Sequence, residues 1–215
     1  MVNKEAYNQL LDELKPRGVE LVAVSKLKPV EDILALYELG QRDFGENYVQ
    51  ELFDKQARLP ADIRWHFIGH LQSNKVKYIA PYVHLIHGVD SLKLLKTIDK
   101  EGGKAARVIP VLLQVHIAQE ETKFGMNEAE LAEAVEEWKQ LSHVQVRGLM
   151  GMASFSEDPN KVAAEFARLK SLYDNYKEPY AFDTLSMGMS GDYQLAIEKG
   201  SNLVRIGSLL FGRRS

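Results

Sequence analysis

The sequence has 215 residues, with 27 basic and 30 acidic side chains, a net charge of −3 and no cysteine. That balance excludes a broad nucleic-acid or membrane-surface footprint, and the lack of cysteine excludes disulfides and thiolate chemistry. An apolar share of 45% supports a packed core, no apolar run approaches the ~20 residues that span a bilayer, and the charged start lacks a signal-peptide core, so a cytoplasmic protein is expected.

In chain order, "MVNKEAYNQLLDELK" reads as an amphipathic helix ahead of the first strand. Strand-length apolar runs then recur near Leu21–Ser25, Asp43–Gly45, Trp65–Gly69, Leu85–His87, Val108–His116, Gln145–Met150, Thr184–Met187 and Leu203–Ile206. Helical patterns separate them: "VEDILALYELG", "NYVQELFDKQARL", "QSNKVKYIA", "SLKLLKTIDKEG", "NEAELAEAVEEWKQL", "NKVAAEFARLKSLYDNY" and "GDYQLAIEKG". In the first of these Ile33, Leu36 and Tyr37 share one face. Strands alternating with helices imply a parallel sheet, and nearly all-apolar strands imply that both faces are covered. Eight such units predict one (β/α)8 barrel domain over residues 1–215, with an extra N-terminal helix. No Gly-x-Gly-x-x-Gly turn follows the first strand, which weighs against an open doubly wound sheet.

In such barrels the chemistry sits at the carboxyl ends of the strands. The first strand stops on Ser25 and Lys26, and lysine is rarely buried without a task. The second gives "FGENYVQE" with Glu46 and Asn47, and the third gives "WHFIGHLQSNK" with His70. Late in the chain, "SMGMSGD" (Ser186 to Asp192) and "RIGS" (Arg205 to Ser208) each place glycine and serine before a helix, where backbone N–H groups hold phosphate or carboxylate. One such stretch alone is a turn with a cap; two on adjacent late strands point to an anion cradle. A lysine opposite such a cradle suggests a Schiff base, since desolvation and neighbouring cations, here Lys28 and Lys123, favour the free amine. The ligand with both an aldehyde and a phosphate is pyridoxal 5′-phosphate, and Arg205 is the candidate partner for its ring nitrogen. The histidines show no zinc spacing: His66 and His70 are four apart on a strand, and His84 and His87 are expected on opposite faces. Ser73 or Asn74 is expected to cap a helix, Trp65 and Trp138 to pack, and the glutamates of "EAELAEAVEEWKQ" to face solvent.

The segments "AVSKLKP", "FGENYVQE", "WHFIGHLQSNK", "GLMGMA", "LSMGMSGD" and "VRIGSLLFG", in this order and spacing, resemble the pyridoxal phosphate homeostasis proteins from about Val19 to Gly212. The resemblance implies a barrel similar to the N-terminal domain of bacterial alanine racemase. It also implies a Schiff base on Lys26, phosphate contacts from Ser186, Met187, Ser190, Gly207 and Ser208, and Arg205 against the pyridine nitrogen. Asn47 and His70 fall in motifs that line the pocket. Lys123 sits in a family lysine motif, with Phe124 as the departure from its usual pattern. The implied role is a carrier or buffer in vitamin B6 homeostasis without robust catalysis, with apo-enzymes as recipients. A monomer is expected over a homodimer. The rival is a pyridoxal-phosphate-dependent racemase. That enzyme needs a second base, which in alanine racemase is a tyrosine from a further domain; only "GRRS" follows Phe211 here, so no such domain is expected. Tyr48, Tyr193 and His70 are the substitutes the sequence offers.

Overall fold

In a computed structural model, which describes residues 2–119 and 124–212, the alternation of apolar strands and amphipathic helices becomes a closed barrel. Among the described residues eight parallel strands pair in sequence order, and the last pairs with the first. They are β1 (Glu20–Val24), β2 (Asp43–Glu46), β3 (Arg64–Phe67), β4 (Leu85–Val89), β5 (Ile109–Gln114), β6 (Val144–Met150), β7 (Thr184–Met189) and β8 (Leu203–Ile206). Before β1 runs α1 (Lys4–Leu14). The others follow their strands: α2 (Val30–Glu38), α3 (Val49–Gln56), α4 (Val76–Ile79), α5 (Leu92–Lys104), α6 (Glu128–Trp138), α7 (Pro159–Tyr180), α8 (Tyr193–Glu198) and α9 (Ser208–Phe211). None of the described helices is long and apolar enough to cross a membrane.

Side-chain alternation decides what each strand contributes. Val22, Leu85, Leu112, Met150 and Leu203 point inward and form a small central cluster. Their strand neighbours, such as Ala23, Ile86, Leu113, Leu149 and Val204, face outward into the larger core beneath the helices. The interior is not all apolar: His66, His87, Ser186 and Arg205 are buried among these residues. Several helices begin where the sequence supplies a cap. Asn3 accepts from the Ala6 N–H, Ser91 from Leu94, and Asn127 forms a reciprocal capping box with Glu130.

The differences from the sequence reading are local. Strand β4 runs on to Val89, and β5 ends at Gln114, after which Val115 makes an isolated bridge to Met126. "QSNKVKYIA" forms a 3-10 turn over Ser73–Lys75 before α4, with Gln72 rather than Ser73 or Asn74 at the cap position and no side-chain cap bond. His84 lies just before β4, where strand alternation does not yet hold. Its ring sits 5.3 Å from that of His66, and His87 lies at a similar 5.2 Å, so the two are not divided between faces.

Candidate functional site

A cavity of about 400 Å³ opens at the carboxyl ends of β1, β7 and β8. Lys26 enters it from the turn after β1, half-buried. Its position follows from parity, since Val22, Val24 and residue 26 all fall on the barrel's inner side. Across the cavity stand Ser190 and Gly191 from the turn after β7, and Gly207 and Ser208 from the end of β8. Ser190 Oγ accepts from the Gly207 N–H at 3.2 Å, which ties the two turns together. An added Cβ on Gly191 would meet nothing within 4 Å, so that backbone is open to the cavity. Arg205 also reaches the cavity wall, although the residue is buried. Burial pushes its guanidinium down to about 10, which leaves it charged at neutral pH. Lys28 lines the rim and donates to the Phe211 carbonyl at 2.9 Å.

The turn that presents Lys26 is clamped from below. Lys55, buried on α3, donates to the Ser25 carbonyl (2.8 Å), Glu46 (2.7 Å) and Glu51 (2.6 Å). Glu46 accepts from the Ser25 hydroxyl at 2.6 Å, and Glu51 accepts from the Leu27 N–H at 2.6 Å. Leu27 adopts φ 60, an uncommon conformation for a branched side chain. Burial raises the Glu46 carboxyl well above its ordinary range, against the pull of Lys55. Nothing in the sequence marks this cluster, since Glu51 and Lys55, four apart on a helix, look like a solvated surface pair.

The sequence-predicted residues divide. Lys26, Asn47, Ser190, Arg205, Gly207 and Ser208 all line this cavity. Asn47 Oδ1 is a buried acceptor with no hydrogen-bond partner among the described residues. Its backbone is crossed so closely by the turn after β3 that a Cβ on Gly69 would sit 2.2 Å from the Asn47 carbonyl oxygen. His70 is not in the cavity. It lines an adjoining cleft, which shares Asn47, stacks on Phe124 and contacts Asp90 at 3.0 Å. Ser186 and Met187 are also placed elsewhere. Ser186 precedes the turn and points into the barrel axis, bonded to Arg205 and His87. Met187, one residue on, faces outward into the core, and its carbonyl accepts from Ser201. Strand alternation is the reason: β7 runs through Met189, so the cradle begins only at Ser190. Lys123 lies outside the described residues.

At the opposite end of the barrel Asp43, His66 and His84 come within 4.8 Å of one another. Sequence spacing concealed this because the three come from separate units. Arg64 already holds both Asp43 oxygens, and His66 adds a third bond. Burial pushes the Asp43 carboxyl up, but the bonds from His66 and Arg64 outweigh it and hold the group well below the carboxylate range. His84 is pushed down to about 4, first by burial and then by His66. Below its unfolded value near 6.5 the unfolded chain takes up a proton that the folded imidazole refuses. His84 therefore contributes stability above about pH 6.5 that is lost as pH falls toward 4. His84→Gln is expected to flatten the drop in Tm between about pH 7 and pH 5. Equal slopes in thermal melts of the two proteins would contradict this.

The sequence pattern described as the alanine racemase N-terminal domain matches residues 4–215. Two proteins described as pyridoxal phosphate homeostasis proteins align over nearly the whole chain. The one from Vibrio alginolyticus is 40% identical over 205 residues, 93% of this chain and 88% of its own length. That from Aquifex aeolicus is 43% identical over 198 residues, 91% and 87%. The structure of PipY from Synechococcus elongatus with PLP bound superposes with a TM-score of 0.89 at 37% identity, covering 97% of this chain and 99% of that one. Alanine racemase from Bartonella henselae shares the barrel, with a TM-score of 0.75 at 18% identity over 95% of this chain and 59% of that chain. With the fold and near full-length identity in agreement, this chain belongs to the pyridoxal phosphate homeostasis protein family, which is built on the alanine racemase N-terminal domain.

Proposed function

We propose that this protein binds pyridoxal 5′-phosphate at the Lys26 cavity and carries or buffers it within the cytoplasm, without turning over a substrate. The residues present fit that group. Lys26 supplies an amine on one wall, and the Ser190–Gly191 and Gly207–Ser208 turns line the other, where the Gly191 backbone is open to a phosphate. Asn47 Oδ1 is an acceptor still awaiting a donor, and Arg205 presents a cation from the floor. When bound, the cofactor supplies an electrophilic aldehyde. The Lys26 amine would hold that carbon as an imine, with water leaving, and the Ser190 and Ser208 hydroxyls with nearby amides would hold the phosphate. Lys28 and Arg205 add positive charge that favours a bound anion.

The observation that carries the carrier reading is the cavity's ionisable lining. Among the described residues it consists of Lys26, Lys28 and Arg205, all cations. Racemisation needs a second acid–base group facing Lys26. Tyr193 donates to Glu13 on α1 at 2.9 Å, and Tyr48 and His70 line the adjoining cleft. A charged cradle without an opposed base suits holding and release.

Two assays separate the readings. Protein loaded with pyridoxal phosphate is expected to pass it to an apo-enzyme faster than it releases it to buffer. It is also expected to exchange the α-deuterium of alanine no faster than free cofactor does. Exchange well above that background, abolished in Lys26→Ala, would establish an enzyme instead.

A further inference from the structure

One line of hydrogen bonds runs through the barrel interior, from Arg205 at the cavity to Asp43 at the opposite end. Arg205 Nη1 donates to Ser186 Oγ, and also to the Ser186 carbonyl at 3.0 Å. Ser186 Oγ lies 3.0 Å from His87 Nδ1. His87 Nε2 lies 2.9 Å from His66 Nδ1, and His66 Nε2 lies 3.0 Å from Asp43 Oδ1. His66, His87, Ser186 and Arg205 are buried. Beyond Asp43 the line closes on Arg64 at the surface.

For a neutral His66, the two charged ends set the direction of every bond. A guanidinium only donates, and an ionised carboxylate only accepts. Asp43 therefore takes a proton-bearing Nε2 from His66, which leaves His66 Nδ1 as an acceptor. His87 must then carry its proton on Nε2 and accept at Nδ1, so the Ser186 hydroxyl donates to His87 while its lone pair receives Arg205. Both imidazoles are neutral in this arrangement. That agrees with His87, whose fully buried ring is held well below its ordinary pKa, first by burial and also by the Arg205 charge. All the dipoles point the same way, with their negative ends toward Arg205. A buried cation is costly unless oriented groups or counter-charge compensate it. Ser186, His87 and His66 supply the oriented groups, Asp192 supplies counter-charge, and Gly151 O accepts from Nη2 at 3.2 Å.

We infer that Asp43, His66, His87 and Ser186 are positioning residues. They anchor the Arg205 guanidinium from the far end of the barrel and, on the binding reading above, thereby set the affinity for pyridoxal phosphate. None of the four lines the cavity. The line couples the two ends of the barrel through single-acceptor, single-donor steps, so breaking it at Asp43 reorganises bonds at Arg205.

The test begins with cofactor-free protein. Side-chain ¹⁵N spectra at neutral pH are expected to show His66 and His87 both neutral with the proton on Nε2. Ser186→Ala removes one hydroxyl from a strand that keeps its backbone bonds. It is expected to shift the His87 and Arg205 side-chain resonances and to weaken pyridoxal phosphate binding about fivefold or more, the lower end of coupling between separated sites. Asp43→Asn is expected to do the same from the far end and to move the absorbance maximum of bound cofactor. Asp62→Asn, which breaks the surface pair with Arg42, is expected to change none of these. A Nδ1-protonated or charged His87 in the wild type would overturn the inference. So would wild-type Arg205 resonances and affinity in Ser186→Ala. Failure of the wild type to bind pyridoxal phosphate would overturn the binding reading and the affinity part, leaving the tautomer result to decide the rest.

Discussion

Lys26→Ala is expected to weaken retention of pyridoxal phosphate at least about tenfold, or roughly 1.4 kcal/mol, and to abolish the visible band of the covalently held cofactor. The cradle on Ser190, Gly191, Gly207 and Ser208 is left intact by this change, so residual non-covalent binding is expected. Lys26 sits in the turn fixed by Lys55, Glu46 and Glu51, and truncating its side chain removes none of those bonds. The melting temperature of the unloaded variant should therefore stay near that of the wild type. The checks are equilibrium dialysis, a visible spectrum and a thermal melt on the same preparations. A variant that keeps both colour and affinity would show that the amine at position 26 does not hold the aldehyde.

The second large effect concerns the barrel itself. Gly148, in β6, has φ 155, and a Cβ there would lie 1.8 Å from the Thr184 carbonyl oxygen of β7. The obstacle is backbone in a paired strand, so neither side can move away without breaking the ladder that joins β6 to β7. Gly148→Ala is expected to cost at least about 4 kcal/mol, in the range that marks a named structural lesion, or to prevent folding. Gly40→Ala is the internal control. Gly40 also has positive φ (104), but a Cβ there would meet nothing within 4 Å, so only conformational strain of about 1–2 kcal/mol is at stake. Urea midpoints of the two variants should differ widely; equal costs would mean that the close approach of Thr184 relaxes freely.

Much of the architecture was readable in the sequence because a barrel buried on both faces writes itself as apolar runs ended by polar residues. Lys26 stood out because it interrupts such a run, and the cradle because glycine and serine recur after two adjacent late strands. Ser190, Arg205, Gly207 and Ser208 line the cavity with Lys26, as does Asn47, whose pocket role only the resemblance implies. What stayed hidden depends on direction rather than residue type. In the sequence Ser186 and Met187 group with the cradle, because the exact end of β7 sets which residues leave the sheet, and a two-residue shift exchanges cavity, interior and outer core. His66, His84 and His87 showed no metal spacing, yet closure of the barrel brings them together with Asp43. The buried Lys55 cluster was hidden because its charges follow ordinary helical spacing and only tertiary packing removes them from water.

The central claim is that the Lys26 amine and the two late turns grip opposite ends of one molecule. The most direct test is borohydride reduction of the pyridoxal-phosphate-loaded protein, followed by peptide mass mapping. The account predicts one phosphopyridoxyl adduct, on the peptide carrying Lys26, and its loss when Ser190 and Ser208 are both changed to alanine at limiting cofactor. An adduct found mainly on Lys28 or Lys123, or one on Lys26 that forms equally well without the two serines, would contradict it.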